Sequence, residues 1–319
     1  MLALLLAACG GGQRGATNTQ NGDSATTSVT TGAPGSNEGV PALHHIFVVV
    51  MENLGAQAAS STPAFARLAA QYQSTTHWYA VSHPSLPNYL ALASGSTWGV
   101  QSDCTDCNQS GANLGSQLQG AGISWGAYFE NLPSPCFLGP ESPDGLYAKK
   151  HDPFAYFADI RGDAGLCSHL QPFSTLAPLL AGPAGAVPRF VWVTPNLCHD
   201  GHDCSPTDAG SWLTGFVSQV TASRAYQDGG MLVVTWDEAD DSDTSGMGTA
   251  SGAVTSSGGG GQVLTLVMLP GAPAGRALPG PYDHYSLLRT VEDALGLSHL
   301  GHAGDAGVRP LTAFFSTGH

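Results

Sequence analysis

An α/β fold, with a mostly parallel central β-sheet flanked by helices on both faces, is the architecture this sequence predicts. Three observations carry that expectation. Apolar runs rich in β-branched residues recur at 46–51, 189–194 and 231–236. Unbroken runs of that length read as strands buried on both faces, as parallel strands are. Segments of helical character separate them, and alternating strands and helices build parallel sheets. Each run also ends in polar groups: Glu52-Asn53 after the first, Asn196, His199, Asp200 and His202 after the second, Asp237-Glu238 after the third. Open α/β sheets bind ligands beyond the carboxyl ends of their strands. One polar strand end is an ordinary loop cap; three together point to a site.

The elements follow in order. Strand 46–51 (IFVVVM) leads to a helix at 63–73 (PAFARLAAQYQ). A second helix begins near Ser85, with Pro87 tolerated in its first turn. A helix at 112–120 precedes a strand at 122–129. Residues 130–185, rich in Pro and Gly with few regular runs, read as an irregular insertion over the site. Strand 189–194 precedes a long amphipathic helix near 208–226, and strand 231–236 gives way to a Gly/Ser-rich loop at 245–261. Strand 263–269 (VLTLVML) leads to a last helix at 284–296. There is no internal repeat. With 42% apolar residues, the chain supports one large domain over 42–319.

The N-terminus reads differently. Residues 1–9 have a short apolar core ending in Leu6-Ala7-Ala8-Cys9, similar to a bacterial lipobox with Cys9 as the lipidated residue. The usual positive n-region is missing, and a shortened ordinary signal peptide is the competing reading. Residues 10–41 are rich in Gly, Ser, Thr and Asn and read as a disordered tether. The expectation is an exported bacterial lipoprotein, held to a membrane only through Cys9 and otherwise monomeric. Beyond Cys9 there are six cysteines, an even number that implies disulfides in an exported chain. Proximity alone pairs Cys104 with Cys107, Cys136 with Cys167 and Cys198 with Cys204. Zinc at Cys104-x-x-Cys107 lacks a second ligand pair at suitable spacing.

Charge excludes one class of partner. Ten Lys+Arg stand against 24 Asp+Glu, a net of -14. Nucleic-acid binding calls for a basic patch, which such a chain lacks. An anionic substrate would need local positive charge from a metal, a histidine or a helix N-terminus. Twelve histidines are available.

The segment His83-Pro84-Ser85-Leu86-Pro87-Asn88-Tyr89 concentrates the chemistry. Ser85 is a natural N-cap, and a hydroxyl there faces free N–H groups and the positive end of the helix dipole, a seat for phosphate. A nearby cation would lower its pKa and make it a nucleophile. Asn88, one turn on, is placed to donate its amide to a phosphoryl oxygen. Taken alone, Ser85 is equally a plain helix cap. Other groups read as structural: His44-His45 as an exposed turn, His299, His302 and His319 as a solvated tail, and Asp240, Asp241 and Asp243 as a hydrated acidic turn or a calcium loop. Trp125, Tyr128 and Trp192 read as core.

Six short motifs stand in order: Val50-Met51-Glu52-Asn53, the His83–Tyr89 segment, Lys150-His151-Asp152-Pro153-Phe154, Thr194-Pro195-Asn196 with Asp200-Gly201-His202, Thr235-Trp236-Asp237-Glu238, and Tyr282-Asp283-His284. Together they resemble the bacterial and fungal phosphoesterase family of phospholipase C-type enzymes and acid phosphatases, within the alkaline-phosphatase-like superfamily. The resemblance implies an alkaline-phosphatase-like fold and roles for these residues. Glu52, Asn53, Asp237 and Glu238 would bind a metal, and Ser85 would attack phosphorus. His202 and His284 would act on the leaving oxygen, and Asn88, His83 and His151 would bind phosphate. Two-metal relatives carry Asp-His where this chain has Asp237-Glu238. The oxygen-rich set therefore implies one divalent ion: Ca²⁺, Mg²⁺, Mn²⁺ or Zn²⁺. The expected activity is hydrolysis of a small phosphate monoester through a phosphoserine. A phosphodiesterase of phospholipase C type, or a non-catalytic binding lipoprotein, is the alternative.

Overall fold

The computed structural model describes residues 39–316. Cys9, nearly all of the tether and His319 lie outside the described residues. Ten strands occur among the described residues: β1 (His45–Met51), β2 (Gln73–Tyr79), β3 (Trp125–Phe129), β4 (Leu170–Pro172), β5 (Phe190–Thr194), β6 (Gly230–Trp236), β7 (Gly246–Met247), β8 (Val254–Thr255), β9 (Gln262–Met268) and β10 (Tyr282–Asp283). Eight form one sheet in the order β10-β2-β9-β6-β1-β5-β3-β4, and β7 pairs only with β8.

β1 lies centrally, parallel to β5 and β6, and every one of its seven residues is buried. β3 is parallel to β4 and β5, and β10 to β2. Only β9 runs antiparallel to its neighbours β6 and β2. A parallel return needs a crossover, usually helical. The loop between β6 and β9 holds the small β7–β8 hairpin instead of a helix, so the chain comes back reversed. The mostly parallel sheet expected from the sequence is present, with this one reversal.

β2 is the longest of the sheet strands that the sequence did not reveal, beside the short β4 and β10. The helix placed at 63–73 ends at Gln71, and Gln73–Tyr79 (QSTTHWY) enters the sheet between β9 and β10. Its polar side chains hid it, and part of that polarity finds partners: Gln73 Nε2 donates to the Phe314 carbonyl (3.0 Å), and Thr75 Oγ1 accepts from the His77 N–H (3.0 Å). The helix placed at 208–226 is two helices, Pro206–Ala222 and Arg224–Gln227, the second capped by the Ser223 hydroxyl. The 130–185 stretch holds short helices and β4, which extends the sheet at its edge. The three disulfides are those that proximity suggested.

β2 antiparallel to β9, and β9 antiparallel to β6, leaves β2 pointing the same way as β1, β5 and β6. The carboxyl ends of all four strands therefore meet at one end of the sheet. The helix Ser85–Ser94 starts there, six residues after the end of β2, and is buried at every position.

Candidate active site

Glu52 follows β1 directly and is 1% exposed. Its Oε2 accepts from Ser85 Oγ (3.1 Å), and its Oε1 accepts from the Tyr89 hydroxyl. Ser85 Oγ also lies 3.2 Å from Glu238 Oε1, so the hydroxyl sits between two carboxylates. It is the first residue of its helix, where unpaired N–H groups favour negative charge. Asp237 and Glu238 follow β6. Asp237 Oδ1 accepts from the Asn53 N–H (3.0 Å), with Asn53 in the left-handed region at φ 50°. Asn53 also borders the cleft.

Behind this pair lies a second layer. The His151 ring spans two carboxylates, Nε2 at 3.2 Å from Glu52 Oε1 and Nδ1 at 3.3 Å from Asp200 Oδ2. It also stacks on Tyr89, with ring centroids 5.2 Å apart. Burial drives these groups towards neutrality. It raises Glu52 well above the usual carboxylate range, helped by the charges of Asp237 and Asp200. It pushes Asp200 up to about 7 and raises Asp237 strongly. It lowers His151 well below the ordinary imidazole value, as do Lys150 and His202 nearby.

Positive charge enters from one side. Lys150 Nζ lies 3.0 Å from His202 Nε2 and 3.0 Å from Asp103 Oδ2. The ammonium has only donors, so His202 Nε2 accepts and its Nδ1–H donates to Asp203 (2.7 Å). Asn53, Ser85, Asp103, Lys150, His202 and Glu238 line a cleft of about 340 Å³, with Asp240 and Asp241 at its rim. A second groove, of about 260 Å³, lies among Leu43, Leu269 and Phe314, and no titratable side chain lines it.

The structure thus brings together Glu52, Asn53, Ser85, His151, His202, Asp237 and Glu238. Three expected site residues have other work. Asn88 spends its whole amide on backbone: Oδ1 accepts from Val81 and Ser82, and Nδ2 donates to the carbonyls of Ser82 and Pro84. With no free donor it cannot bind phosphate; it shapes the turn before Ser85. His284 is fully buried beside Asp237. Its Nε2 donates to the Asp237 carbonyl (2.6 Å), and its Nδ1 accepts from Trp78 Nε1 (3.1 Å). Burial lowers its pKa to about 4, so it is a neutral brace with no proton to give a leaving group. His83 binds Glu238 (2.6 Å) and the Asp243 carbonyl (3.0 Å), and the bond to Glu238 raises its pKa to about 9. It supports Glu238 rather than phosphate. Tyr89, Asp103 and Lys150 were not singled out from the sequence. Tyr89 had a signal, since it lies four residues from Ser85 on the same helix face. Lys150 adjoins His151, and only Asp103 carried no sequence cue.

A divalent ion fits this donor set. Among buried side-chain atoms, Asp237 Oδ2, Asp200 Oδ2 and His151 Nε2 have no hydrogen-bond partner, where such atoms ordinarily find one. Four buried carboxylates, Glu52, Asp200, Asp237 and Glu238, crowd a site whose lining holds one Lys and no Arg. A bound cation would reverse that repulsion. Two overlapping ligand sets are available: the oxygen donors of Glu52, Asn53, Asp237 and Glu238, and a Glu52–His151–His202 group whose ligand atoms lie within 4.8 Å of one another.

The fold is that of the alkaline phosphatase superfamily. A solved member from Vibrio parahaemolyticus superposes with a TM-score of 0.54 at 13% identity, over 85% of this chain and 70% of that one. The chain belongs to the Phosphoesterase family, whose family model matches residues 21–298. A phosphatidylinositol-3-phosphatase of Mycobacterium tuberculosis is 31% identical, over 84% of this chain and 82% of that protein. An acid phosphatase of Aspergillus fumigatus is 29% identical over 88% of this chain. The chain spans 61% of that enzyme's length and 63% of a probable acid phosphatase from Kluyveromyces lactis.

Proposed function

We propose that this protein is a metal-assisted phosphoric ester hydrolase, acting on phosphate monoesters through a phosphoserine at Ser85. The observation that carries this reading is the Ser85 hydroxyl, held between Glu52 and Glu238 at the N-terminus of a buried helix. Glu52, Asp237 and Glu238, with Asn53, would hold a divalent ion. Bound there, it would lower the pKa of the serine hydroxyl and offset charge on the phosphoryl group. Ser85 Oγ forms the bond to phosphorus and passes its proton to a neighbouring carboxylate. Lys150 faces the phosphoryl oxygens. His202, at the wall of the cleft, gives a proton to the leaving oxygen as the P–O bond breaks. Water then hydrolyses the phosphoserine and returns the serine. The names of the acid phosphatase relatives support the monoester reading.

The relative matched along most of both chains acts on a phosphatidylinositol phosphate, which favours lipid phosphomonoesters as a second substrate class. Three disulfides fit an exported protein. A lipid anchor at Cys9 and a monomeric state belong to the same proposal.

The test is hydrolysis of p-nitrophenyl phosphate and bis-p-nitrophenyl phosphate from acid to alkaline pH, with and without chelator, beside Ser85→Ala. We expect turnover of the monoester, loss with chelator, and loss in Ser85→Ala. Turnover of the diester alone would favour a phospholipase C-type activity, and no turnover of either a binding protein. Activity surviving Ser85→Ala would remove the serine from the chemistry.

A further inference from the structure

The chain has two lysines, adjacent in sequence, and both reach into the same short stretch. Lys149 Nζ donates to the Thr105 carbonyl (2.7 Å) and lies 4.3 Å from the centre of the Tyr156 ring. Lys150 Nζ reaches Asp103 Oδ2. The other oxygen of Asp103, Oδ1, accepts from the Leu86 N–H at 3.0 Å. Leu86 follows Ser85 in its helix, and Pro84 before it offers no side-chain cap. One carboxylate therefore caps the helix of Ser85 and grips the cleft's ammonium. Its backbone is pinned on the following side, where Cys104–Cys107 closes a tight ring and the Tyr156 hydroxyl donates to the Cys104 carbonyl (2.9 Å).

We propose that Asp103 is a positioning residue of the phosphate site, whose carboxylate aims Lys150 at phosphoryl oxygens beside Ser85. This rests on the reading of the cleft as a phosphoester site. Asp103 and Lys150 are partly exposed, with side chains 28% and 20% accessible, and such ion pairs add little to stability. What the pair supplies is geometry. A free lysine stem loses rotamer entropy when a ligand fixes it, and Asp103 with His202 fixes it beforehand. Among the described residues Lys150 is the only Lys or Arg lining the cleft, so its direction decides where an anion settles. A competing geometry is that the Asp103 carboxylate itself occupies the anion seat, since it touches both an N–H of the helix start and the ammonium.

Calorimetric titration of inorganic phosphate into the manganese-supplemented full chain separates the two. The variants are Asp103→Asn, Asp103→Glu, Lys150→Met, and Asp103→Asn combined with Lys150→Met. Asp103→Asn keeps an oxygen for the Leu86 N–H, and its thermal midpoint should match wild type. We expect its phosphate affinity to fall about tenfold or more, the scale of one charged hydrogen bond. The double variant should bind no more weakly than Lys150→Met alone, as coupled residues do. Asp103→Glu, which keeps the charge, should recover part of the affinity and serves if the Asn variant misfolds. Affinity unchanged or tighter in Asp103→Asn, losses that add, or no phosphate binding by wild type would each overturn the proposal. The titration does not depend on Ser85, so failure of the nucleophile assignment is read separately, as turnover surviving Ser85→Ala.

Discussion

Replacing Asn88 by alanine would remove four hydrogen bonds from a side chain with no exposed surface. Two are accepted, from the N–H groups of Val81 (2.9 Å) and Ser82 (3.1 Å); two are donated, to the carbonyls of Ser82 (2.7 Å) and Pro84 (3.2 Å). Each is worth about 0.5–1.5 kcal/mol net, so their loss costs about 2–6 kcal/mol. At roughly 2–4 °C per kcal/mol for a domain of this size, the thermal midpoint should fall by roughly 4–24 °C. The same bonds brace the turn at 81–84 that delivers Ser85, so kcat should fall as well. Circular-dichroism melting beside initial rates on p-nitrophenyl phosphate measures both. Asn88→Asp, which keeps acceptors and loses both donors, should fall between alanine and wild type. A variant that melts like wild type and shows only a raised KM would refute this reasoning, because the amide would then be binding substrate.

Two further outcomes follow from buried groups. Tyr89→Phe removes a hydroxyl donor to the buried Glu52 side chain, and such a bond is worth about 0.5–1.5 kcal/mol. The urea midpoint should drop with an unchanged m-value, and an unshifted midpoint would mean that Glu52 does not need this donor. Asp283 caps the helix His284–Leu295, and burial pushes its carboxyl up to about 7 from 3.8. The folded state holds that proton more tightly, so the stability it contributes is full below the unfolded pKa and is lost as pH rises through about 7. Asp283→Asn mimics the protonated form and remains a good cap. It should match wild type near the acid end and become more stable towards neutrality, by at most about 1.4 kcal/mol per pH unit. A stability gap that stays flat with pH would contradict this.

The sheet was legible where strands are apolar. β1, β5, β6 and β9 announce themselves because strands covered on both faces need continuous hydrophobic runs. β2 did not, because Gln, Ser and Thr break the apolar run, and the partners of Gln73 Nε2 and Thr75 Oγ1 are a tertiary solution that local pattern cannot reveal. The same limit governs the site. Glu52, Asp237 and Glu238 were readable as strand-end residues, and Ser85 as a helix start. Asn88 and His284 stand in the expected motifs, yet their polar atoms face backbone and indole, which only the packed fold decides. Asp103 lies seventeen residues past Leu86 and reaches it through space, so no spacing rule would find it.

The direction of β1 carries a practical consequence. The chain enters the sheet at His45 and reaches Glu52 only after crossing it, a path of roughly 20 Å at about 3.3 Å per residue. Val40 and Leu43, buried ahead of that strand, mark the end of the sheet remote from Ser85. A bead or an affinity handle joined directly at Gly39 would hold the protein by its far end. The mouth of the cleft would stay open to bulk solution, so an immobilised preparation should process soluble phosphate esters at the rate of the free protein.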